Sequence, residues 1–369
     1  GGAAVGASVA TVDMGGSAIA EVGNDVQVGQ SIDTVGSLSV SADSDISAYT
    51  ASTAGKAGIG LASSGSVAKA TLKPTIRGSI GTDARITVDD GVSVSATGTP
   101  KAVSDATGVN VSGGVSIGAS VATALAAPDI DAGIGSGARI SADTVSVKAT
   151  QDNAGNSAAA YALGAAGGVL AGVNATYAEA ENEAHVDAAI GDDSELTVAT
   201  QVELIAANTS VQKTEVTGVS IGGVLAAGAT IGHANSNTVT TAVLGDGVKV
   251  ASLGGLTGVL DISATSADTN TAEATSGSGG LISGSAASIG TRSVADTRAS
   301  VGSGDPAHTL NAARFNLKAD HTSTFNGKVN SVSASAVGAS GASATHSVAS
   351  TVIASVADNA RINANHVDI

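Results

Sequence analysis

The side chains best equipped for chemistry in this chain are six histidines and a few groups of carboxylates. The histidines are His185, His233, His308, His321, His346 and His366. No two of them have the i, i+4 spacing that sets a pair of imidazoles on one helical face around zinc. They also share no column of the repeat described below, so they are expected on solvent-facing strands and turns. Carboxylates gather at Glu179, Glu181 and Glu183, and again at Asp192, Asp193 and Glu195. Alternate carboxylates on one strand face offer the oxygen ligands that calcium takes. The calcium-binding nonapeptide of the Gly-Gly-x-Gly-x-Asp type is missing, however, and a solvated edge that discourages sheet-to-sheet aggregation is the expected role.

Covalent chemistry finds no better footing. Serines abound, but no Gly-x-Ser-x-Gly elbow stands at a strand-to-helix junction, and no glycine-rich run continues into Gly-Lys-Ser/Thr to cradle phosphate. Thr238-Val239-Thr240 has the spacing of an ice-binding face in the right kind of strand, but the other copies do not repeat it there. The residues therefore assign no catalytic, cofactor-binding or metal-ligating side chain, and the chain reads as a non-enzyme without a cofactor.

Composition narrows the partners. Sixteen basic residues stand against 32 acidic ones, a formal net charge of −16. That balance opposes nucleic acid and anionic membrane surfaces and favours solubility through self-repulsion. Hydrophobic residues make up 43% of the chain and aromatics 1%, so a thick globular interior built on large side chains is excluded in favour of thin layers. The 49 glycines would suit disorder, yet only 13% of residues are charged and β-branched residues alternate throughout, unlike disordered chains. Cysteine is absent, which rules out a disulfide scaffold and thiolate metal sites. The uncharged stretch from Ser157 to Ala178 is long enough for a membrane helix. Its Ala and Gly content, Asn174 and its repeat register argue for strands instead. A membrane barrel lacks its aromatic girdles, with two Phe and three Tyr in the chain.

What positions these residues is a recurrent aliphatic–Gly step. It ends at Gly23, Gly81, Gly135, Gly191, Gly245 and Gly302, and Ala357 replaces the glycine in the last copy, at spacings of 58, 54, 56, 54, 57 and 55 residues. A fixed period of this length marks a repeat architecture, here one continuous array over residues 1–369 with about six and a half copies. Ile130, Ala132 and Ile134 alternate with Asp131 and Gly133 as in a half-buried strand. Gly135-Ser136-Gly137 then forms a turn. Five residues after the step come Val28, Ile86, Ile140, Leu196, Val250 and Ile362, with Ala307 the exception. Four residues after it come Arg85, Arg139, Glu195, Lys249 and Arg361, a charged column in which Glu195 lies between two cations. An alternating Val-x-Val-x-Ala strand follows, seen at Val92-Val94-Ala96 and Val202-Leu204-Ala206. Paired glycines such as Gly113-Gly114 and Gly222-Gly223 predict a hairpin with a tight turn. Glycines within strands predict close approach of a neighbouring sheet. Pro74 and Pro128 are expected at strand entrances, and Gly304 to His308 as a protruding loop.

Units such as Gly114-Val115-Ser116-Ile117-Gly118-Ala119-Ser120-Val121-Ala122, and Ala132-Gly133-Ile134-Gly135 followed by Ala138-Arg139-Ile140, resemble the filamentous-haemagglutinin-like surface exoproteins of bacteria. The resemblance implies β-solenoid shafts, secretion across a Gram-negative outer membrane by a two-partner route, and a role in adhesion or biofilm matrix. The expected fold is all-β: an elongated β-solenoid or stacked β-sandwich shaft with about 56 residues per repeat. Each unit is either two rungs or one flattened coil bearing a hairpin. Both ends look cut from a longer array, open to pairing with neighbouring copies. Further expected partners are host or matrix glycans, with no nucleic acid and no membrane insertion of this segment. A self-assembling sheath or surface-layer filament is the second functional expectation, and a polysaccharide-binding or polysaccharide-processing β-helix the third.

Overall fold

The computed structural model of the protein describes residues 2–29, 35–153, 155–251, 258–304 and 309–369. Among them every regular element is a β-strand, and the strands pair in parallel as one wound sheet. Each coil runs out along one side and returns along the other. The outward runs include Ala3–Val22, Leu61–Ile80, Val115–Ala126 continued by Asp129–Ile134, Ala171–Asn182 continued by His185–Ile190, and Leu225–Leu244. The return runs include Arg85–Thr87, Gly91–Gly98 and Lys101–Ser112 in one coil, and the single strand Glu195–Gly222 in another. The long strands Val259–Val301 and Leu310–Val356 pass from a return run into the next outward run without a break.

Along the outward side successive coils pair at offsets of 58, 54, 56, 54, 57 and 55 residues. These are the spacings of the aliphatic–Gly step, so one repeat is one flattened coil. The expected hairpin is corrected. The strands flanking Gly113-Gly114 pair with coils above and below and not with each other, because the ladder runs along the solenoid axis. The paired glycines instead form a sharp arch between facing sheets.

Length variation is absorbed at corners. Ten residues separate Val28 from Leu38, against six from Ile86 to Val92, yet Val28 pairs with Ile86 and Leu38 with Val92. Strand register is held by side-chain burial, and a one-residue slip would turn every core residue outward. Corner loops carry no such constraint. The same logic corrects the sixth copy. Leu310, 4% exposed, takes the column expected of Ala307 and pairs with Val250 and Ile362. Ala307 and the loop expected around it, Asp305 to His308, lie outside the described residues. Pro128 sits in the gap before Asp129 as expected. Pro74, however, lies within Leu61–Ile80, buried at the register position beneath Pro128.

The interior is graded by side-chain size. At the wide end Ile76, Ile80, Ile130, Ile190, Leu196, Leu204 and Phe315 build an aliphatic core. Further along, alanines such as Ala68, Ala70, Ala102, Ala122, Ala160 and Ala180 bring the facing sheets closer. At the arch even a methyl is too large in places: a Cβ on Gly118 would stand 2.9 Å from Asn110 Nδ2 and 3.0 Å from Asn174 Oδ1. The tempting stretch from Ser157 to Ala178 is one such arch, built of Ala158–Gly168 and the start of Ala171–Asn182. Among the described residues no helix is long and apolar enough to cross a membrane.

The step glycine has a different job from the one expected. The left-handed residue of the turn lies two positions later, at Asp25, Asp83, Gly137, Asp193, Gly247 and Asn359, with φ between 55° and 69°. Only Asp, Asn and Gly occupy these positions, the types that reach this region most easily. The step glycine is needed for stacking: a Cβ on Gly135 would lie 2.6 Å from Gly81 C, and one on Gly302 2.6 Å from Gly245 C. Gly135→Val is therefore expected to cost roughly the 1–3 kcal/mol of an overpacked core and so to lower the melting temperature sharply. Asp193→Gly, which keeps the turn conformation, is expected to leave it nearly unchanged. Thermal denaturation followed by circular dichroism checks both; equal melting of Gly135→Val and the parent chain would refute the stacking role.

Candidate functional site

Register decides which polar residues meet. Above the turn, Arg85, Arg139, Glu195 and Lys249 stack as one column, and Lys249 Nζ lies 2.8 Å from Glu195 Oε1. Arg361 does not join them directly. Because Leu310 pairs with both Val250 and Ile362, Thr309 intervenes between Lys249 and Arg361. These side chains line a shallow groove on the surface, where an exposed pair contributes about 0–1 kcal/mol. Beside it, turn side chains cap the next coil: Asn24 Oδ1 accepts from Thr82 N at 2.9 Å, and Asp192 Oδ1 from Asp246 N at 2.8 Å.

The carboxylates Glu179, Glu181 and Glu183 face outward, as their alternation predicts. Tyr177 Oη donates to Glu179 Oε2 at 2.9 Å, and the Tyr177 ring meets His233 edge-on at 5.7 Å. Burial, helped by Glu179, pushes the Tyr177 hydroxyl upward in pKa. Burial, then the charges of Glu183 and Glu179, raise the Glu181 carboxyl.

A second outward group joins two coils. Asp129 and Asp131 lie on one strand, and His185 and Asp187 pair with them in register on the next. His185 Nδ1 is 3.2 Å from Asp129 Oδ1 and His185 Nε2 is 3.6 Å from Asp187 Oδ2. Arg77, one coil below, reaches Asp131 Oδ2 at 3.1 Å.

One histidine departs from the solvent-facing expectation: the His321 side chain is 4% exposed, whereas His346, whose Nδ1 meets Thr291 Oγ1 at 2.6 Å, is exposed. His321 belongs to a polar interior belt between the aliphatic and alanine zones. At its centre the Asp268 carboxylate, 1% exposed, accepts from Ser323 Oγ at 2.7 Å, Asn270 Nδ2 at 2.8 Å and Ser293 Oγ at 2.9 Å, with His321 Nε2 at 3.3 Å. Serine, histidine and aspartate thus meet, but not as a relay. A relay needs one imidazole nitrogen on the carboxylate and the other on the hydroxyl; here Nε2 faces both Asp268 and Ser293. The cluster is a buried polar staple in which both carboxylate oxygens of Asp268 accept from donors. Thr238 and Thr240 are likewise interior, 2% and 0% exposed, so they form no outer ice-binding face.

Periodicity could have revealed these groupings, since writing each copy beneath the last sets Asp129-x-Asp131 under His185-x-Asp187. The inward placement of His321 needed only the parity of its strand. No family model, curated protein or solved structure matches the chain.

Two outcomes are expected. Asp268→Ala strips a buried charge from its donors and should cost about 3–5 kcal/mol, whereas Asp296→Ala, which loses only an exposed pair with Arg298 at 2.6 Å, should cost at most about 1 kcal/mol; urea unfolding of both variants compares them. Glu181 has a raised carboxyl in the fold, so its ionisation disfavours folding, and stability falls as pH rises from the ordinary carboxylate range through the raised value. Glu181→Gln should therefore melt slightly higher than the parent chain at pH 8, with the gap closing towards pH 4.

Proposed function

We propose that this chain is a structural shaft or fibre segment of a bacterial cell-surface adhesin, exported and acting in adhesion or biofilm matrix. The observation that carries the reading is the unbroken parallel ladder, which holds register through corner insertions from the first coil to the last. Backbone bonds that run along the axis join every coil to the next, so tension is shared over a whole strand. The polar, acidic exterior keeps such blades apart. With strands about 4.8 Å apart, one 56-residue coil advances the axis by only about that distance, while a 20-residue strand spans about 65 Å. The blade is broad and gains reach slowly, a shape suited to rigidity and display of side faces, where matrix or host glycans are the proposed partners.

A second reading, self-assembly into sheath or surface-layer filaments, is favoured by one feature. The arch edge carries a row of exposed aliphatics, Ile59 at 81%, Val169 at 64%, Leu170 at 55% and Leu281 at 56% exposure. Contiguous apolar edges of this kind mark association surfaces.

Electron microscopy of the purified chain separates the readings. Discrete single-chain blades, unchanged by Val169→Asp with Leu170→Lys, are expected for a shaft. Ordered multi-chain filaments or sheets that this double variant dissolves would favour assembly. Glycan-cleaving activity from a compact globule would refute both.

A further inference from the structure

We propose that Asp129, Asp131 and His185 bind a divalent transition-metal ion of the zinc type across the third and fourth coils, with Asp187 orienting the imidazole. This site is independent of the shaft reading. Two register pairs create it: Asp129 with His185, and Asp131 with Asp187. Parallel strands lie about 4.8 Å apart and residues i and i+2 about 6.6 Å apart on one face, so four side chains rise from the corners of a small rectangle. Ligand atoms of Asp129, Asp131 and His185 all lie within 4.8 Å of one another. A tetrahedral zinc ion with ligands at about 2.0–2.2 Å has neighbouring ligand atoms about 3.4 Å apart; His185 Nδ1 and Asp129 Oδ1 are already 3.2 Å apart.

The imidazole supplies the second argument. Carboxylates flank both of its nitrogens, Asp129 at Nδ1 and Asp187 at Nε2. A neutral imidazole has one N–H. With that N–H directed to Asp187, the Nδ1 lone pair faces the carboxylate of Asp129, and a cation placed between them turns two opposed acceptors into two ligands. A carboxylate on the far nitrogen of a ligating histidine is the usual device that fixes ring orientation. Three carboxylates converge here against one guanidinium, Arg77, which holds Asp131 Oδ2 and leaves Oδ1 for the ion. A mixed nitrogen and oxygen donor set selects zinc-type ions over calcium or magnesium. The side chains of Asp129, His185 and Asp187 are 49%, 45% and 36% exposed, so an ion can enter from solvent, while the strands beneath are fixed by the ladder.

Isothermal titration of the chelator-treated, dialysed chain with zinc chloride tests the site, with calcium chloride as the contrast. The expected result is one zinc ion per chain and little heat with calcium. His185→Gln and Asp129→Asn should each abolish that binding, and Asp187→Asn should weaken it about 10–100-fold with the stoichiometry retained. Zinc should also raise the melting temperature of the parent chain and not that of His185→Gln. His233→Gln, remote from the cluster, should bind as the parent does. All four changes are on outward side chains, and circular dichroism confirms that each variant keeps its strands. Zinc titrations that coincide for the parent chain and His185→Gln, or no zinc binding by the parent chain, would overturn the proposal.

Discussion

The rest of the structure depends on the close stacking of each coil on the one before it, and this constraint is sharpest at the step glycine. There the backbone of one coil rests on the carbonyl carbon of the equivalent glycine below, from Gly81 over Gly23 to Gly302 over Gly245. A Cβ at Gly81, Gly135, Gly191, Gly245 or Gly302 would fall within 3 Å of that backbone, and only the last coil carries one, at Ala357. With the glycine column set, the turn that follows takes one geometry in every copy but the sixth, its left-handed residue two positions later, and the flanking strands enter the ladder in register. Register in turn fixes which side chains stack as columns, and burial punishes any slip.

Stacking of like on like has a chemical consequence. A residue type repeated at one column is amplified into a stripe along the axis, and a change of type places a new pair in contact. Arg85 on Arg139 followed by Glu195 and Lys249 is one such sequence of contacts. Asp129 beneath His185 is another. The interior obeys the same rule. Aliphatic, polar and alanine columns run side by side, and sheet separation shrinks with side-chain volume from Phe315 and Leu204 at the wide end to glycine at the arch. Within that gradient Ser293, Ser323 and Asn270 supply donors to the buried carboxylate of Asp268.

The all-β class, the repeat period and most of the core are legible in the residues alone. Alternation with period two is a local property, and the 54- to 58-residue spacing of the step glycines is identical to the pairing offsets of the outward runs. The column of Ile86, Ile140 and Leu196 could be read for the same reason, since each position is buried in its own coil before any stacking is considered.

Other features arise from packing between coils. That the glycine pairs form arches and not hairpins depends on where backbone bonds point, and alternation looks the same for both. That Leu310 takes the column expected of Ala307 depends on its pairing with Val250 and Ile362 in the neighbouring coils, which local pattern does not encode. His321 and Thr240 share the strand parity of Leu317 and Leu244, but the partner His321 meets, Asp268, is brought to it by a coil far away in sequence. The Asp129, Asp131 and His185 cluster joins residues 56 positions apart, a distance bridged by the pairing of whole coils and not by any short motif.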